Sequence, residues 1–308
     1  MLLVIAITLL PAVLPAAPPS SASPIQVEAI ARETPDGPVR AWVARVDLTD
    51  PRVSFVVTGP LERREGDPPR AEARLLPTDV WAERERVELA VNAGFFARLD
   101  GAGGPGGGWT DGQPVDVVGL SRSDGRTVSP LRHSEANVEP SLLIDETNQD
   151  RSCPCRVRAA LAGERDLDGI DEAVTGGGPR EDTPGTLLVE NGENHGATAQ
   201  VEPARRHPRT AAGVSRDGRT LVLLVVDGRQ PGWSIGATLP ELAALLLEAG
   251  AWNAVNLDGG GSSAIWHHEP GAAAGRILNH PSDGRVRPAA NHLGVRVAPD
   301  PAAPSPRD

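Results

Sequence analysis

The sequence predicts a mixed fold, rich in β-strands and turns, with a βαβ unit near its C-terminal end. Of its 308 residues, 34 are glycine and 30 are proline, and this turn-rich composition disfavours a helical bundle. Valine-rich stretches near the N-terminal end alternate in polarity, as strands do. The apolar run TLVLLVV, which begins at Thr220, is typical of a strand buried on both faces.

The first half of the chain contains three predicted segments of regular structure. Residues 39–59 predict two strands joined at Asp50-Pro51. A short helix capped by Thr78 is predicted for 78–86, and the apolar stretch 87–96 predicts a strand. The glycine-rich stretch that follows, 100–113, predicts a binding loop or a lid.

The strongest local pattern is the βαβ unit. After the buried strand, Thr238 and Glu241 form a capping-box pattern ahead of an apolar helix, and Gly250 is placed to end that helix. Strands joined by such a crossover run parallel. Asp227 and Asp258, which follow the two strands, are therefore expected at one edge of the sheet, where open α/β sheets bind ligands.

Three consecutive glycines, Gly259, Gly260 and Gly261, follow the second of these acids. A flexible turn is one interpretation. The alternative is a nest of backbone N–H groups that binds an anion, because a single glycine would satisfy a turn and each further one costs roughly 0.5–1 kcal/mol relative to alanine.

Asp-Gly-Arg occurs four times in the chain, starting at Asp124, Asp217, Asp227 and Asp283. For Asp124 and Asp217 the pattern predicts ordinary turns. Asp227 differs because a buried strand leads into it and no returning strand follows, so we expect a functional role there.

Arginine must bind every anion in this protein, because all 30 cationic residues are arginine. The absence of lysine and tyrosine excludes a Walker A motif, a Schiff-base lysine and a tyrosine nucleophile. Arg205 and Arg206 are expected on a solvated surface. Arg209, between Pro208 and a predicted strand, is expected to direct its guanidinium at phosphate or carboxylate.

The net charge of −11 argues against nucleic acid or an anionic membrane as a partner. Residues 1–23 resemble a signal peptide without a basic n-region, so a secreted protein without stable membrane insertion is expected. One catalytic domain is predicted over 24–298 and a disordered tail over 299–308. Cys153 and Cys155 are the only cysteines, and the choice between a local disulfide and two thiols stays open.

Several motifs together resemble the phosphodiester glycosidases. They occur in the order VNAGFF, HPRTAAG, LVVDGRQPGWSIGATLPELAALLLEAGAWNAVNLDGGGSSA and NHPSDGRVRPAANHLGV. The resemblance implies an α+β catalytic domain that cleaves a sugar-1-phosphodiester, such as GlcNAc-α-1-phospho-6-mannose, at the anomeric carbon. Where the family has Asn-Gly-Gly, this chain has Asn92-Ala93-Gly94.

The resemblance also implies the site residues. The predicted catalytic residues are Asp258, Asp227, Asn92 and Arg209. The predicted substrate- and phosphate-binding residues are Arg229, Gly259, Gly260, Gly261, Ser262, Ser234, Asn279 and Asp283.

The expected substrate is a phosphorylated glycan or a small sugar-nucleotide-like molecule. Its leaving group, a phosphate monoester, is already a weak base, so charge neutralisation matters more than proton donation. Arg209 and the glycine N–H groups are expected to hold the departing phosphate. Asp258, with Asp227 as the alternative, is expected to stabilise or attack the oxocarbenium-like carbon. No cofactor is expected to be required. A divalent ion, Ca²⁺ or Mg²⁺, stays open because the site offers hard oxygen ligands.

Two alternatives to glycosidase chemistry remain. The same site could cleave the P–O bond, as in a phosphodiesterase for teichoic-acid-like or exopolysaccharide phosphodiesters. The chain could instead be a non-catalytic binder of phosphorylated glycans, with Trp109 and Trp233 stacking on sugars. Two acids at strand ends, together with an arginine and a glycine-rich loop, favour an enzyme.

Overall fold

The computed structural model describes residues 23–99, 108–131, 138–146, 155–177 and 185–299. The predicted signal peptide up to residue 22, most of the glycine-rich loop, Cys153 and the tail from residue 300 lie outside these ranges. Within them, no helix is long and apolar enough to cross a membrane.

The described residues are mostly β-sheet, with two α-helices. The helices are α1 (Thr78–Glu85) and α2 (Leu239–Glu248). The strands are β1 (Ile25–Thr34), β2 (Gly37–Asp47), β3 (Val53–Val57), β4 (Ala73–Arg74), β5 (Leu89–Asn92), β6 (Phe95–Ala97), β7 (Pro114–Val118), β8 (Ser121–Ser123), β9 (Arg126–Ser129), β10 (Glu139–Asp145), β11 (Arg156–Ala162), β12 (Glu172–Thr175), β13 (Val189–Glu190), β14 (Glu193–Asn194), β15 (Arg209–Val214), β16 (Thr220–Val226), β17 (Asn253–Asn256), β18 (Ile265–His267), β19 (Arg276–Ile277) and β20 (His292–Val297).

Four sheets organise these strands. The largest has the order β1-β2-β16-β15-β17-β13-β14. Two five-stranded sheets have the orders β11-β10-β12-β8-β9 and β19-β18-β5-β20-β3, and a small sheet has the order β4-β7-β6. The described residues are thus mostly β-sheet with two α-helices, a smaller helical share than the expected α+β class with packed helices implies.

The seven-stranded sheet separates two hydrophobic cores, and β16 shows why its sequence is continuously apolar. Leu221, Leu223 and Val225 pack into the core shared with both five-stranded sheets. The alternate residues on the strand pack on the other face of the sheet, in the core that includes α2. Because successive side chains of a strand point to opposite faces, both sets must be apolar.

The two helices begin differently. α2 begins at the predicted capping box, in which Thr238 and Glu241 bond reciprocally, and Gly250 follows its end with φ 101°. The predicted cap of α1 was wrong. Pro77 occupies that position, and the Thr78 hydroxyl is buried inside the first turn with no hydrogen-bond partner among the residues that the structure describes.

The prediction that the two strands of the βαβ unit run parallel is confirmed. β16 and β17 both pair antiparallel with β15 and are therefore parallel to each other, with β15 between them. At about 4.8 Å per strand spacing, the carboxyl ends of β16 and β17 are about 10 Å apart. The first residue of β15, Arg209, lies at the same edge because β15 runs in the opposite direction.

The turn predictions for Asp124 and Asp217 also agree with the structure. Asp124 and Gly125, both with positive φ, join β8 to β9 in a hairpin. Asp217 accepts hydrogen bonds from the Ser215 hydroxyl and the Arg219 N–H between β15 and β16. The middle third, for which the sequence predicted only short strands and turns, contributes a five-stranded sheet that packs on the shared core.

Candidate active site

The candidate site lies at the edge of the large sheet where β16 and β17 end and β15 begins. Asp227 directly follows β16, and Asp258 lies two residues after β17. The second five-stranded sheet reaches the same place through the end of β5, at Asn92. The site is therefore built where two sheets meet.

Asn92 fixes the backbone of Asp258. Its Nδ2 donates a 2.6 Å hydrogen bond to the Asp258 carbonyl oxygen, and the Asp258 N–H donates at 2.8 Å to the Ala93 carbonyl oxygen. The Asn92 Oδ1 accepts from the Thr210 hydroxyl at 2.7 Å and the Ala264 N–H at 3.1 Å. The Asn92 amide is fully buried, so it positions the site and does not itself face the cavity.

The Asp258 carboxylate faces a small cavity of about 170 Å³. Its Oδ1 accepts the Gly259 N–H at 2.9 Å, and the Ser262 hydroxyl donates to the carboxylate. Burial nevertheless raises the pKa of Asp258 to about 6, and the bonds from Ser262 and Gly259 oppose that rise. The cavity is lined by Phe95, Val201, Glu202, His207, Arg209, Arg229, Asn256, Leu257, Asp258, Gly259, Gly260 and Arg287.

The three glycines allow close packing, and the N–H groups of Gly259 and Gly260 are used within the protein, while the expected anion-binding nest stays a prediction. The Gly259 N–H bonds Asp258 itself, and the Gly260 N–H donates at 2.8 Å to the Pro208 carbonyl oxygen. A Cβ on Gly259 would lie 2.8 Å from that same oxygen, and one on Gly261 would collide with the Arg287 guanidinium. Gly260 has φ 63°, a conformation that glycine adopts without strain.

Arg209 also differs from its expected role. Its guanidinium donates to four backbone carbonyl oxygens, those of Ala237, Val201, Glu202 and Arg205. The side chain is almost completely buried, and burial lowers its pKa to about 10. Arg209 lines the cavity and places a positive charge beside it, but most of its donors hold the loop before β15.

Arg229 is the cavity-lining arginine whose guanidinium stays available to bind an anion. Its guanidinium contacts the His207 Nδ1 at 3.2–3.3 Å, and in the part of the chain that the structure describes it has no carboxylate within ion-pair distance. The other ring nitrogen, Nε2, lies 2.8 Å from Glu202 Oε2. Burial, followed by the charges of Arg229 and Arg209, lowers the pKa of His207, so a neutral imidazole accepts from Arg229.

Arg287 approaches from the segment between β19 and β20. Asp283 orients it, with its carboxylate 2.7 Å from Nη2 and 2.8 Å from Nε. Asp283 thus influences the cavity by orienting the Arg287 guanidinium. The Arg229 guanidinium lies next to Gly260, and the Arg287 guanidinium lies next to Gly261. Both therefore flank the same glycine backbone.

Asp227 is buried, and both of its carboxylate oxygens accept hydrogen bonds from neighbouring residues. It accepts from Trp233 Nε1 at 2.9 Å, from Asn279 Nδ2 at 3.1 Å and from the His280 N–H at 2.9 Å, while Ser234 donates to its backbone carbonyl oxygen. Burial raises the pKa of its carboxyl, against the effect of these donors. Asp227, Asn279 and Ser234 therefore brace the loops around the cavity, and Asp227 is not among the cavity-lining residues.

Among the described residues, no group of three or more His, Cys, Asp or Glu side chains is arranged to hold a metal ion.

Comparison with known proteins identifies the family. The profile of the phosphodiester glycosidases matches residues 85–296, a range that contains every site residue described above. The chain belongs to this family. The resemblance expected from the motifs is therefore confirmed.

The chain spans less than a third of the length of two curated relatives. An uncharacterized protein derived from the SPbeta prophage of Bacillus subtilis is 34% identical over 222 residues, covering 71% of this chain and 29% of that protein. The N-acetylglucosamine-1-phosphodiester alpha-N-acetylglucosaminidase of Bos taurus is 43% identical over 75 residues, covering 24% of this chain and 12% of that enzyme.

Solved structures share the fold. The zebrafish N-acetylglucosamine-1-phosphodiester alpha-N-acetylglucosaminidase catalytic domain, auto-inhibited by its pro-peptide, superposes with a TM-score of 0.60 at 20% identity, over 90% of this chain and 85% of that one. A Burkholderia pseudomallei protein described as exported gives a TM-score of 0.57 at 18% identity, over 84% and 74% of the two chains.

Four polar residues in the cavity wall were not among the site residues predicted from the sequence: Glu202, His207, Arg287 and Asn256. A signal existed for Arg287, which stands four residues after Asp283 in the last motif. Of the two tryptophans considered for sugar stacking, Trp233 is half exposed and bonds Asp227. Trp109 packs edge-on against Phe96, with Arg98 over its ring.

Proposed function

We propose that this family member hydrolyses a sugar-1-phosphodiester at the anomeric C–O bond, with N-acetylglucosamine as the sugar. The observation that carries the proposal is the pairing, in one cavity, of the Asp258 carboxylate with the Arg229 guanidinium, which has no carboxylate partner in the described chain. A carboxylate suits a developing positive charge at carbon, and a free guanidinium suits the phosphate that leaves.

We assign the binding of the phosphate group to Arg229 and Arg287. A guanidinium binds phosphate oxygens through paired N–H groups, and both side chains line the cavity beside the glycines. Arg229 has N–H donors available for a ligand because, among the described residues, its side chain hydrogen-bonds only the neutral His207. A phosphate held in this way departs as a stabilised anion, so the site requires no separate proton donor.

The sugar carbon is assigned to Asp258. In its ionised form it either attacks the anomeric carbon or activates a water molecule beside it. Asp227 is an unsuitable second carboxylate, because its oxygens are occupied by Trp233, Asn279 and His280. One reactive carboxylate is sufficient when the leaving group is already a weak base.

The test is hydrolysis of GlcNAc-α-1-phospho-6-mannose and of UDP-N-acetylglucosamine in ¹⁸O-water, followed by proton NMR and mass spectrometry. We expect N-acetylglucosamine as product with the label in the sugar, and the first anomer formed reports whether Asp258 attacks carbon or activates water. Label in the phosphate would establish P–O cleavage instead. No turnover on either substrate, from protein that melts cooperatively, would contradict the assignment of N-acetylglucosamine.

We also propose that the protein acts outside the cytoplasm on phosphorylated glycans. The apolar N-terminal run and the likeness to a protein described as exported support this location. Fractionation of producing cells, with N-terminal sequencing of the mature protein, tests it. Full-length protein retained in the cytoplasm would contradict export.

A further inference from the structure

Among the described asparagines at this sheet edge, Asn256 is the one with a buried side-chain oxygen that has no hydrogen-bond partner. It is 2% exposed and lines the cavity, yet within the described residues its Oδ1 has no hydrogen-bond partner. Buried polar atoms in proteins are almost always paired, so such an atom in a cavity wall needs an explanation.

The neighbouring asparagines do not share this property. Asn92 makes three side-chain hydrogen bonds, and Asn279 makes three as well. Asn291 bonds Ser121 and the Gly94 N–H. Asn253, at the other end of the same strand, accepts the Asn191 N–H at 2.7 Å.

The backbone of Asn256 is held by hydrogen bonds, so the unpaired Oδ1 does not reflect a loose segment. Its carbonyl oxygen accepts the Gly177 N–H, and its strand pairs it with Ala211. A Cβ on Gly176 would lie 2.5 Å from that carbonyl oxygen, so glycine is required for the two chains to approach this closely.

Asn256 also stands in a definite relation to Asp258. Side chains two residues apart leave an extended chain on the same side, and Asn256 and Asp258 both line the cavity. Leu257 between them is buried in the core and also borders the cavity. With Asp258 at the anomeric carbon, a side chain next to it on that side meets a substituent on an adjoining ring atom. The ring oxygen is only an acceptor, whereas the second carbon carries the hydroxyl or acetamido group.

We propose that Asn256 is a specificity-determining residue that hydrogen-bonds the acetamido group on the sugar carbon next to the anomeric carbon. This rests on the function proposed above. An acetamido group both donates and accepts, as the Asn256 amide does, and rotation about χ2 lets either end of the side chain face the ligand. Hydrogen bonds at this sugar position strengthen in glycosidase transition states, so the contact acts on rate as well as on binding.

The experiment compares Asn256→Ala with Asn253→Ala on two substrates, methyl N-acetylglucosamine-α-1-phosphate and its 2-deoxyglucose counterpart. The quantity measured is the ratio of kcat/KM values for the two substrates. We expect Asn256→Ala to reduce the preference for the acetamido substrate by about tenfold or more, with an unchanged or higher Tm, because the side-chain oxygen that is removed has no hydrogen-bond partner among the described residues. Asn253→Ala should lower Tm and keep the ratio.

The outcomes separate this inference from the function on which it rests. An unchanged ratio in Asn256→Ala, with the wild type active, overturns the role of Asn256 and leaves the glycosidase assignment standing. A wild type that cleaves neither substrate overturns the assignment, and the inference with it. Should Asn256→Ala not fold, Asn256→Ser is compared in the same way, and an unchanged ratio there has the same meaning.

Discussion

The Asn92 side chain holds the Asp258 backbone through a 2.6 Å hydrogen bond from Nδ2 to the carbonyl oxygen. This contact joins the end of a strand in one sheet to the loop that follows a strand in another. Asn92 therefore acts through Asp258, and the reactive carboxylate is positioned from outside its own sheet.

Replacing Asn92 should damage the fold as well as the rate. Asn92→Ala leaves the Thr210 hydroxyl, the Ala264 N–H and the Asp258 carbonyl oxygen without this partner, all at a buried position. We expect the free energy of unfolding to fall by about 3 kcal/mol, as measured by urea denaturation. A variant with wild-type stability and rate would contradict the positioning role.

The pH dependence of the reaction should report Asp258. Its pKa is raised from the usual 3.8 to about 6, and the proposed chemistry uses the ionised form. The rate therefore rises with pH through about 6 and is constant above it, and at pH 5 kcat/KM is about one tenth of the plateau. A rate that falls as pH rises through 6 would instead indicate that Asp258 donates a proton.

Arg229 should matter for phosphate and little for folding. Arg229→Ala removes a charge-assisted contact to the substrate, so we expect kcat/KM for the phosphodiester to fall about 10- to 100-fold. The matched control is Arg205→Ala, which removes an exposed arginine paired with Glu202 at the surface and should leave kcat/KM within about twofold. Equal losses in both variants would point to a general electrostatic effect.

The glycines provide two contrasting substitutions. Gly259→Ala places a Cβ 2.8 Å from the Pro208 carbonyl oxygen, and because backbone cannot easily move aside, we expect a lower Tm. In Gly261→Ala the obstacle is the end of the Arg287 side chain, which can swing away. We expect a nearly unchanged Tm and a loss of kcat/KM similar to that of Arg287→Ala. Wild-type activity in Gly261→Ala would remove Arg287 from the phosphate site.

The sequence predicted the elements that local rules determine. The buried strand β16 and the capping box at Thr238 follow from side-chain alternation and from hydrogen bonds between residues close in the chain, and both are found. Thr78 was misjudged because the cap preference of its hydroxyl is weak beside the packing of the first turn of α1, where the side chain is buried.

The division of labour within the site could not be predicted in the same way. The motifs identify Asp227, Asp258 and Arg209 as a group, but which of them is saturated by partners depends on loops far away in sequence. Trp233 and Asn279 donate hydrogen bonds to the Asp227 carboxylate. The Arg209 guanidinium donates to backbone carbonyl oxygens within residues 201–205. Of these three residues, Asp258 is the one whose carboxylate lines the cavity. The other acid in the cavity wall, Glu202, is paired with Arg205 and His207.

The most direct test of this account is the turnover of Asp258→Asn on GlcNAc-α-1-phospho-6-mannose, with Asp227→Asn measured beside it. The substitution preserves shape and removes the charge, so we expect kcat to fall about 10²- to 10⁴-fold in a protein with a cooperative melt. Asp227→Asn should act mainly by lowering Tm. Wild-type turnover by a folded Asp258→Asn variant would contradict the central claim that this carboxylate carries the reaction.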